Sequence, residues 1–221
     1  MSKEVLYKNI RNRWNASEVS VKGVLGGYEN LHEADLKSSI MTLDWLKETG
    51  QINGGQALDC CAGIGRVTQN ALQYYFDEID LFDQEKNFTD YCEEFFAQND
   101  KIDEILCCSL QEYEFIKKYD LIWVQWGFEN LEDEDLTQFL LKCKDSLKEG
   151  GVIIAKENFT SLEDFYLGEN YKIRSQQLIA DFFENCGFEI LVQESLEDEW
   201  PQELFRIITF VAKPKAYEVF L

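Results

Sequence analysis

A chain of 221 residues that is 45% hydrophobic and 14% aromatic can build one substantial core but leaves little room for a separate catalytic module. Its formal net charge of −21 opposes binding to nucleic-acid phosphates and favours a basic partner, of which a peptide is the better match. No apolar run approaches the about 20 residues of a membrane span, so no membrane segment is expected.

The start, MSKEVLYKNIRNRW, has no apolar stretch followed by small residues, so no secretory leader is expected, while its few basic residues leave an organelle address open. Residues 4 to 14 read as a short helix presenting Leu6, Tyr7, Ile10 and Trp14. KGVLGGY, from Lys22 to Tyr28, reads as a structured loop. Leu36, Ile40, Leu43 and Leu46 then recur at helical spacing, and Gly50, Gly54 and Gly55 end that helix. Residues 1–50 are thus expected to be an N-terminal helical segment of a single domain spanning 1–221.

Strand Ala57 to Cys60 runs into LDCCAGIGR, Leu58 to Arg66, where small residues fill the turn between a strand and a helix. Such a turn presents backbone N–H groups to a nucleotide-like ligand. Asp83 ends the next apolar run, where a carboxylate can accept hydrogen bonds from both ribose hydroxyls. The pair points to an adenosyl site. One helix after Arg66 is expected to carry Val67, Ala71, Leu72, Tyr75 and Phe76, and the next Phe88, Cys92, Phe95 and Phe96. Strands Ile105 to Cys108 and Leu121 to Trp126 follow, then a helix with Leu136, Phe139, Leu140, Cys143 and Leu147. Gly150 and Gly151 are expected to close that helix as a left-handed cap before strand Val152 to Lys156.

This run of βαβ units predicts a mainly parallel, doubly wound α/β sheet. A polar, aromatic segment, Glu157 to Asn170, precedes a helix with Leu178, Ile179, Phe182, Phe183 and Cys186. Strands Phe188 to Glu194 and Leu204 to Ala212 then follow one another with only a loop between, which predicts antiparallel pairing. That C-terminal hairpin is the mark of the class I, Rossmann-like S-adenosylmethionine-dependent methyltransferase fold. The seven cysteines, Cys60, Cys61, Cys92, Cys107, Cys108, Cys143 and Cys186, include no CxxC pair. They read as reduced core thiols of an intracellular protein, with neither a disulfide framework nor a metal site.

With the motifs placed, nearly the whole chain resembles the eukaryotic α-N-terminal protein methyltransferases, the Xaa-Pro-Lys N-terminus enzymes. The resemblance rests on KGVLGGY, LDCCAGIGRVT (Leu58 to Thr68), CCSLQEY (Cys107 to Tyr113), DLIWVQW (Asp120 to Trp126), FLLKCKDSLKEGGVIIAKEN (Phe139 to Asn158) and WPQELF (Trp200 to Phe205). It implies transfer of methyl groups from S-adenosylmethionine to the α-amine of a protein N-terminus, in the cytoplasm or nucleus, on a protein or peptide with a free basic N-terminal motif. Cofactor contacts are implied for Cys61, Ala62, Gly63, Gly65, Arg66, Asp83, Gln84, Leu110, Gln111 and Gln125. Arg66 would stand near the methionine carboxylate. Trp14, Leu25, Tyr28, Leu31, Trp126 and Phe205 are implied for the peptide wall, and Asn158, Glu169 and Asn130 for the reacting amine. Three residues depart from the family pattern: Cys61 stands in place of a glycine, Asn130 of a histidine and Phe205 of a tyrosine. They motivate a second reading, in which the fold is kept as a catalytically impaired structural or protein-interaction subunit.

Overall fold

A computed structural model describes residues 2–160, 165–167, 171–196 and 200–216. Its N-terminal helices are α1 (Lys3–Asn15), α2 (Val21–Val24) and α3 (His32–Glu48). After them come β1 (Gln56–Cys60), α4 (Arg66–Asn70), β2 (Glu78–Asp83), α5 (Lys86–Phe95), β3 (Ile102–Cys107) and β4 (Tyr119–Gln125). The second half holds α6 (Asp133–Ser146), β5 (Leu147–Thr160), β6 (Phe165–Leu167), β7 (Tyr171–Ser175), α7 (Gln176–Asn185), β8 (Phe188–Leu196) and β9 (Arg206–Pro214).

Alternation along the central strands decides which helices cover which face. Ala57, Leu121, Trp123, Val152 and Ile154 pack with Leu43 and Leu46 of α3 and with Val67, Ala71, Leu72 and Phe76. Their neighbours Leu58, Ile122, Val124, Ile153 and Ala155 pack on the other face with Leu136, Phe139, Leu140 and Cys143 of α6 and Ile179 and Phe183 of α7. A strand buried on both faces reads as a continuous apolar run, as LIWV does here. β3, β2, β1, β4 and β5 pair in parallel in that order. β9 runs antiparallel between β5 and β8, which gives the methyltransferase sheet with its expected C-terminal hairpin.

Three local expectations change. The single helix after Arg66 stops at Asn70, because Ala71 leaves helical geometry at φ −136° and ψ −71°, and a 3-10 turn, Leu72–Tyr74, takes over. α6 ends at Ser146 with an extended residue, Leu147, as its cap. Gly150 is left-handed, φ 79°, but lies within β5 where the register against β4 shifts, so it serves a strand irregularity and not a helix cap. Finally, a β6–β7 hairpin precedes α7. β5 outlasts β4, and β7 pairs with it in parallel at Phe159 and Thr160. Since β9 holds the other edge of β5 there, the hairpin stands on the β4 side, just beyond that strand's end.

Candidate functional site

Two backbone outliers mark the place where ligands would bind. Among the described residues, Cys61 after β1 and Trp126 after β4 are the non-glycine residues with positive φ, 56° and 54°. These strands are neighbours at the point where the strand order reverses, the crevice that open α/β sheets use for ligands. A cleft with about 880 Å³ of empty space opens there. It brings together Cys61, Ala62, Gly63, Arg66, Asp83, Gln84, Leu110, Gln111 and Gln125, with Trp14, Trp126 and Asn130 also on its wall. Gly65 does not line it. That residue turns the chain into α4 at φ 70°, and a Cβ there would lie 2.6 Å from the Phe96 ring.

Beneath this cleft lies a buried charge cluster assembled from distant parts of the chain. Asp35 of α3 is fully buried; its Oδ2 accepts from Arg66 Nη2 at 2.6 Å, and Oδ1 lies 2.6 Å from Lys156 Nζ. Gln125 Nε2 donates to both oxygens, at 2.9 and 3.0 Å. Lys156 Nζ also donates to the Asp35 carbonyl and to the Ser38 and Ser39 hydroxyls. Burial works against ionisation of Asp35, but Lys156 and Arg66 beside it hold its carboxyl below the usual range. Arg66 Nη1 and Gln125 Oε1 are buried without a partner and belong to side chains of the cleft wall. A cationic donor beside an amide acceptor suits an α-amino acid, whose carboxylate and ammonium need these two groups.

Asp83, at the end of β2, accepts from the Gly63 N–H at 2.9 Å and from the Glu85 N–H at 2.9 Å, which ties the small-residue loop to the strand. Burial pushes its pKa up to about 6, against the pull of those donors. Unused lone pairs of this carboxylate remain for hydroxyl groups of a ligand. Asp59, also on the wall, is pushed up to about 7 by burial while its Oδ2 accepts from Thr68 Oγ1 at 2.6 Å.

The left-handed backbone at Cys61 costs about 1 to 2 kcal/mol relative to glycine. A glycine there would lose that strain but add about 0.5 to 1 kcal/mol of unfolded-state entropy. Cys61→Gly is therefore expected to move stability by about 1 kcal/mol or less and cofactor affinity by less than about ten-fold. Thermal melts and calorimetric titration of the variant measure both. Burial raises the Cys61 thiol well above its ordinary range, so it stays neutral.

A second cavity, with about 1030 Å³ of empty space, meets the first at Trp14, Val24 and Trp126. Leu25, Tyr28, Leu31, Asn158 and Phe205 line it with Trp14 and Trp126, so the residues expected around a peptide are gathered at one place. Asn130 lies on the first cleft, where its Nδ2 donates to the Trp126 carbonyl at 2.8 Å. Glu169 lies outside the described residues. Sequence reasoning missed Glu129, on the 3-10 turn Phe128–Asn130, which also lines the second cavity. Its Oε2 accepts from Asn158 Nδ2 at 2.8 Å, and burial pushes its pKa up to about 7. In the sequence this glutamate looks like part of an ordinary polar turn, GFEN.

Comparison with known proteins adds to this geometry. Residues 2–213 match the family model described as AdoMet dependent proline di-methyltransferase. The N-terminal Xaa-Pro-Lys N-methyltransferase 1-B of Xenopus laevis is 32% identical over 94% of this chain and 95% of its own length. The alpha N-terminal protein methyltransferase 1 of Arabidopsis thaliana is 35% identical over 91% of this chain and 77% of its own. A SAM-dependent methyltransferase structure from Leishmania major superposes with a TM-score of 0.86 at 27% identity, covering 94% of this chain and 83% of that one.

Proposed function

The chain belongs to the AdoMet dependent proline di-methyltransferase family, and from that premise we propose that it methylates the α-amine of protein N-termini of the Xaa-Pro-Lys type. It is an S-adenosylmethionine-dependent methyltransferase, and the reading of a fold retained without turnover is not favoured by its relatives. The observation that carries the proposal is the meeting of two cavities at Trp126, one fitted to an adenosyl amino acid and the other lined by aromatic side chains with a carboxylate inside.

When bound, S-adenosylmethionine supplies an electrophilic methyl group on a sulfonium that is itself a good leaving group. Arg66 and Gln125 would hold its amino acid end, and Asp83 its ribose, with Leu110 and Gln111 on the adenine side. Trp14, Leu25, Tyr28, Leu31 and Phe205 would wall in the peptide, while Trp126 stands between the two ligands and Asn158 orients the amine. Their task is positioning, which alone can supply a large part of a methyl-transfer rate. Asn130 serves by holding the Trp126 carbonyl. The exposed Glu203 lies on the second cavity, where it attracts a basic side chain of the peptide.

Chemistry favours this acceptor. An α-amine of pKa about 7.7 to 8.0 is roughly a tenth neutral at pH 7, whereas a lysine side chain near 10.4 is neutral about four times in ten thousand. Mass spectrometry after incubation with S-adenosylmethionine is expected to find methyl groups on a peptide beginning Ser-Pro-Lys and none on its N-acetylated control. Methylation of the blocked peptide would rule out α-amine specificity.

A further inference from the structure

We propose that Glu129 is the base that takes the proton from the substrate's α-ammonium, in a cavity where a hydrogen bond from Asn158 holds its carboxylate in place. The inference rests on the α-amine reading above and names the group that prepares the nucleophile. Glu129 and Glu203 are the carboxylates that line the second cavity among the described residues, and Glu203 is exposed while Glu129 is half-buried beside Asn158 and Trp126. The chain's single histidine, His32, begins α3 and lines neither cavity.

The surroundings of Glu129 say which carboxyl carries charge. Glu157 of β5 is buried and its Oε1 accepts from the Gly127 and Phe128 N–H groups, at 2.9 and 3.0 Å, while its Oε2 has no partner. Burial and the nearby Glu129 charge raise Glu157 well above the carboxylate range, so it stays protonated when Glu129 ionises. Burial raises Glu129 and outweighs the groups that favour its ionised form, the Asn158 hydrogen bond first and then Arg13 of α1 and Arg174 of β7; Tyr171 of β7 also faces it. The outcome, about 7, lies close to the pKa of an α-amine, so proton transfer between the two is nearly balanced.

In the step so assigned, the α-ammonium gives one proton to a Glu129 oxygen. The freed nitrogen lone pair forms the new N–C bond to the methyl carbon as the C–S bond breaks with its electron pair left on sulfur. Glu129 then returns the proton to solvent. A folded-state pKa above the free value also means that stability attached to protonated Glu129 is complete below about pH 4.5 and is lost as pH rises through about 7. The carboxylate is thus kept at a cost to the fold at neutral pH, and Glu129→Gln should melt no lower than the parent at pH 8.

The test compares the parent, Glu129→Gln and Glu129→Asp on the Ser-Pro-Lys peptide from pH 6 to 9, with S-adenosylmethionine affinity by calorimetry and thermal melts. Glu129→Gln is expected to lower kcat by about a hundred-fold at pH 7. The gap should narrow toward pH 9, where the amine is already neutral, cofactor affinity should stay within about two-fold, and Glu129→Asp should restore part of the rate. A loss independent of pH and accompanied by a lower melting temperature would show a structural role and overturn the proposal. So would a raised KM at unchanged kcat, which would leave Glu129 as an anchor alone. A parent enzyme that methylates neither free nor blocked peptide overturns the α-amine reading itself, and is told apart because the variant is not involved.

Discussion

Asp35→Ala is expected to destabilise the protein by about 3 to 5 kcal/mol and to weaken cofactor binding in whatever remains folded. Asp35 answers three buried groups at once, Arg66, Lys156 and Gln125, with polar distances between 2.6 and 3.0 Å. Without it two cations face each other in the core. Lys156 can shed its proton, since burial already lowers its pKa against the pull of Asp35, but a guanidinium cannot. The uncompensated charge therefore settles on Arg66, the side chain whose free Nη1 belongs to the cofactor cleft. Domains of this kind have only about 5 to 15 kcal/mol of stability, so a third or more is at stake. Urea titration measures the loss. Adding Lys156→Met should recover part of it, because apolar atoms of similar volume replace a buried amine that has lost its counter-ion. A single variant within about 1 kcal/mol of the parent would show that the cluster is solvated and does not tie α3 to the sheet.

That cluster also shows where reading a sequence reaches its end. The continuous apolar runs LIWV and VIIA specified strands buried on both faces, and the absence of a helix before the last strand specified the antiparallel hairpin, because both are local patterns. Asp35 and Lys156 are 121 residues apart, and nothing local pairs them; the only hint is a carboxylate one turn before Ser39 on the buried side of α3. In the sequence, Lys172 and Arg174 make β7 look like a solvent-exposed loop. In the fold Arg174 is buried, with Asp133 and two backbone carbonyls as partners. The small-residue loop after β1 is legible as a motif, whereas the strain at Cys61 needs its φ angle. Glu129 could not be singled out at all. Its chemistry arises from burial and from Asn158, brought to it by β5, with Arg13 of α1 and Arg174 of β7 nearby, and none of this is encoded in the turn that carries it.

Asp83→Ala is expected to weaken S-adenosylmethionine binding by about a hundred-fold or more, and the parent's affinity is expected to fall in acid for the same reason. Hydrogen bonds to a charged group contribute about 1.5 to 3 kcal/mol each, so losing two ribose hydroxyl contacts costs about 3 kcal/mol or more, which is roughly two decades in Kd. The variant also leaves the Gly63 and Glu85 N–H groups without their acceptor, so the loop that faces the ligand loosens together with the contact. The carboxylate must be ionised to accept from both hydroxyls, and burial has raised its pKa to about 6. A ligand that selects the ionised form therefore binds at full strength above about pH 7 and loses about ten-fold by pH 5. Calorimetric titration across that range measures the slope, with Asp83→Asn as the isosteric control that should abolish it. Asp59, pushed up to about 7 in the same cleft, is the competing source of any pH dependence, and its variant Asp59→Asn separates the two. A slope that survives in Asp83→Asn and vanishes in Asp59→Asn would move the charge-sensitive contact from Asp83 at the end of β2 to Asp59 near the end of β1.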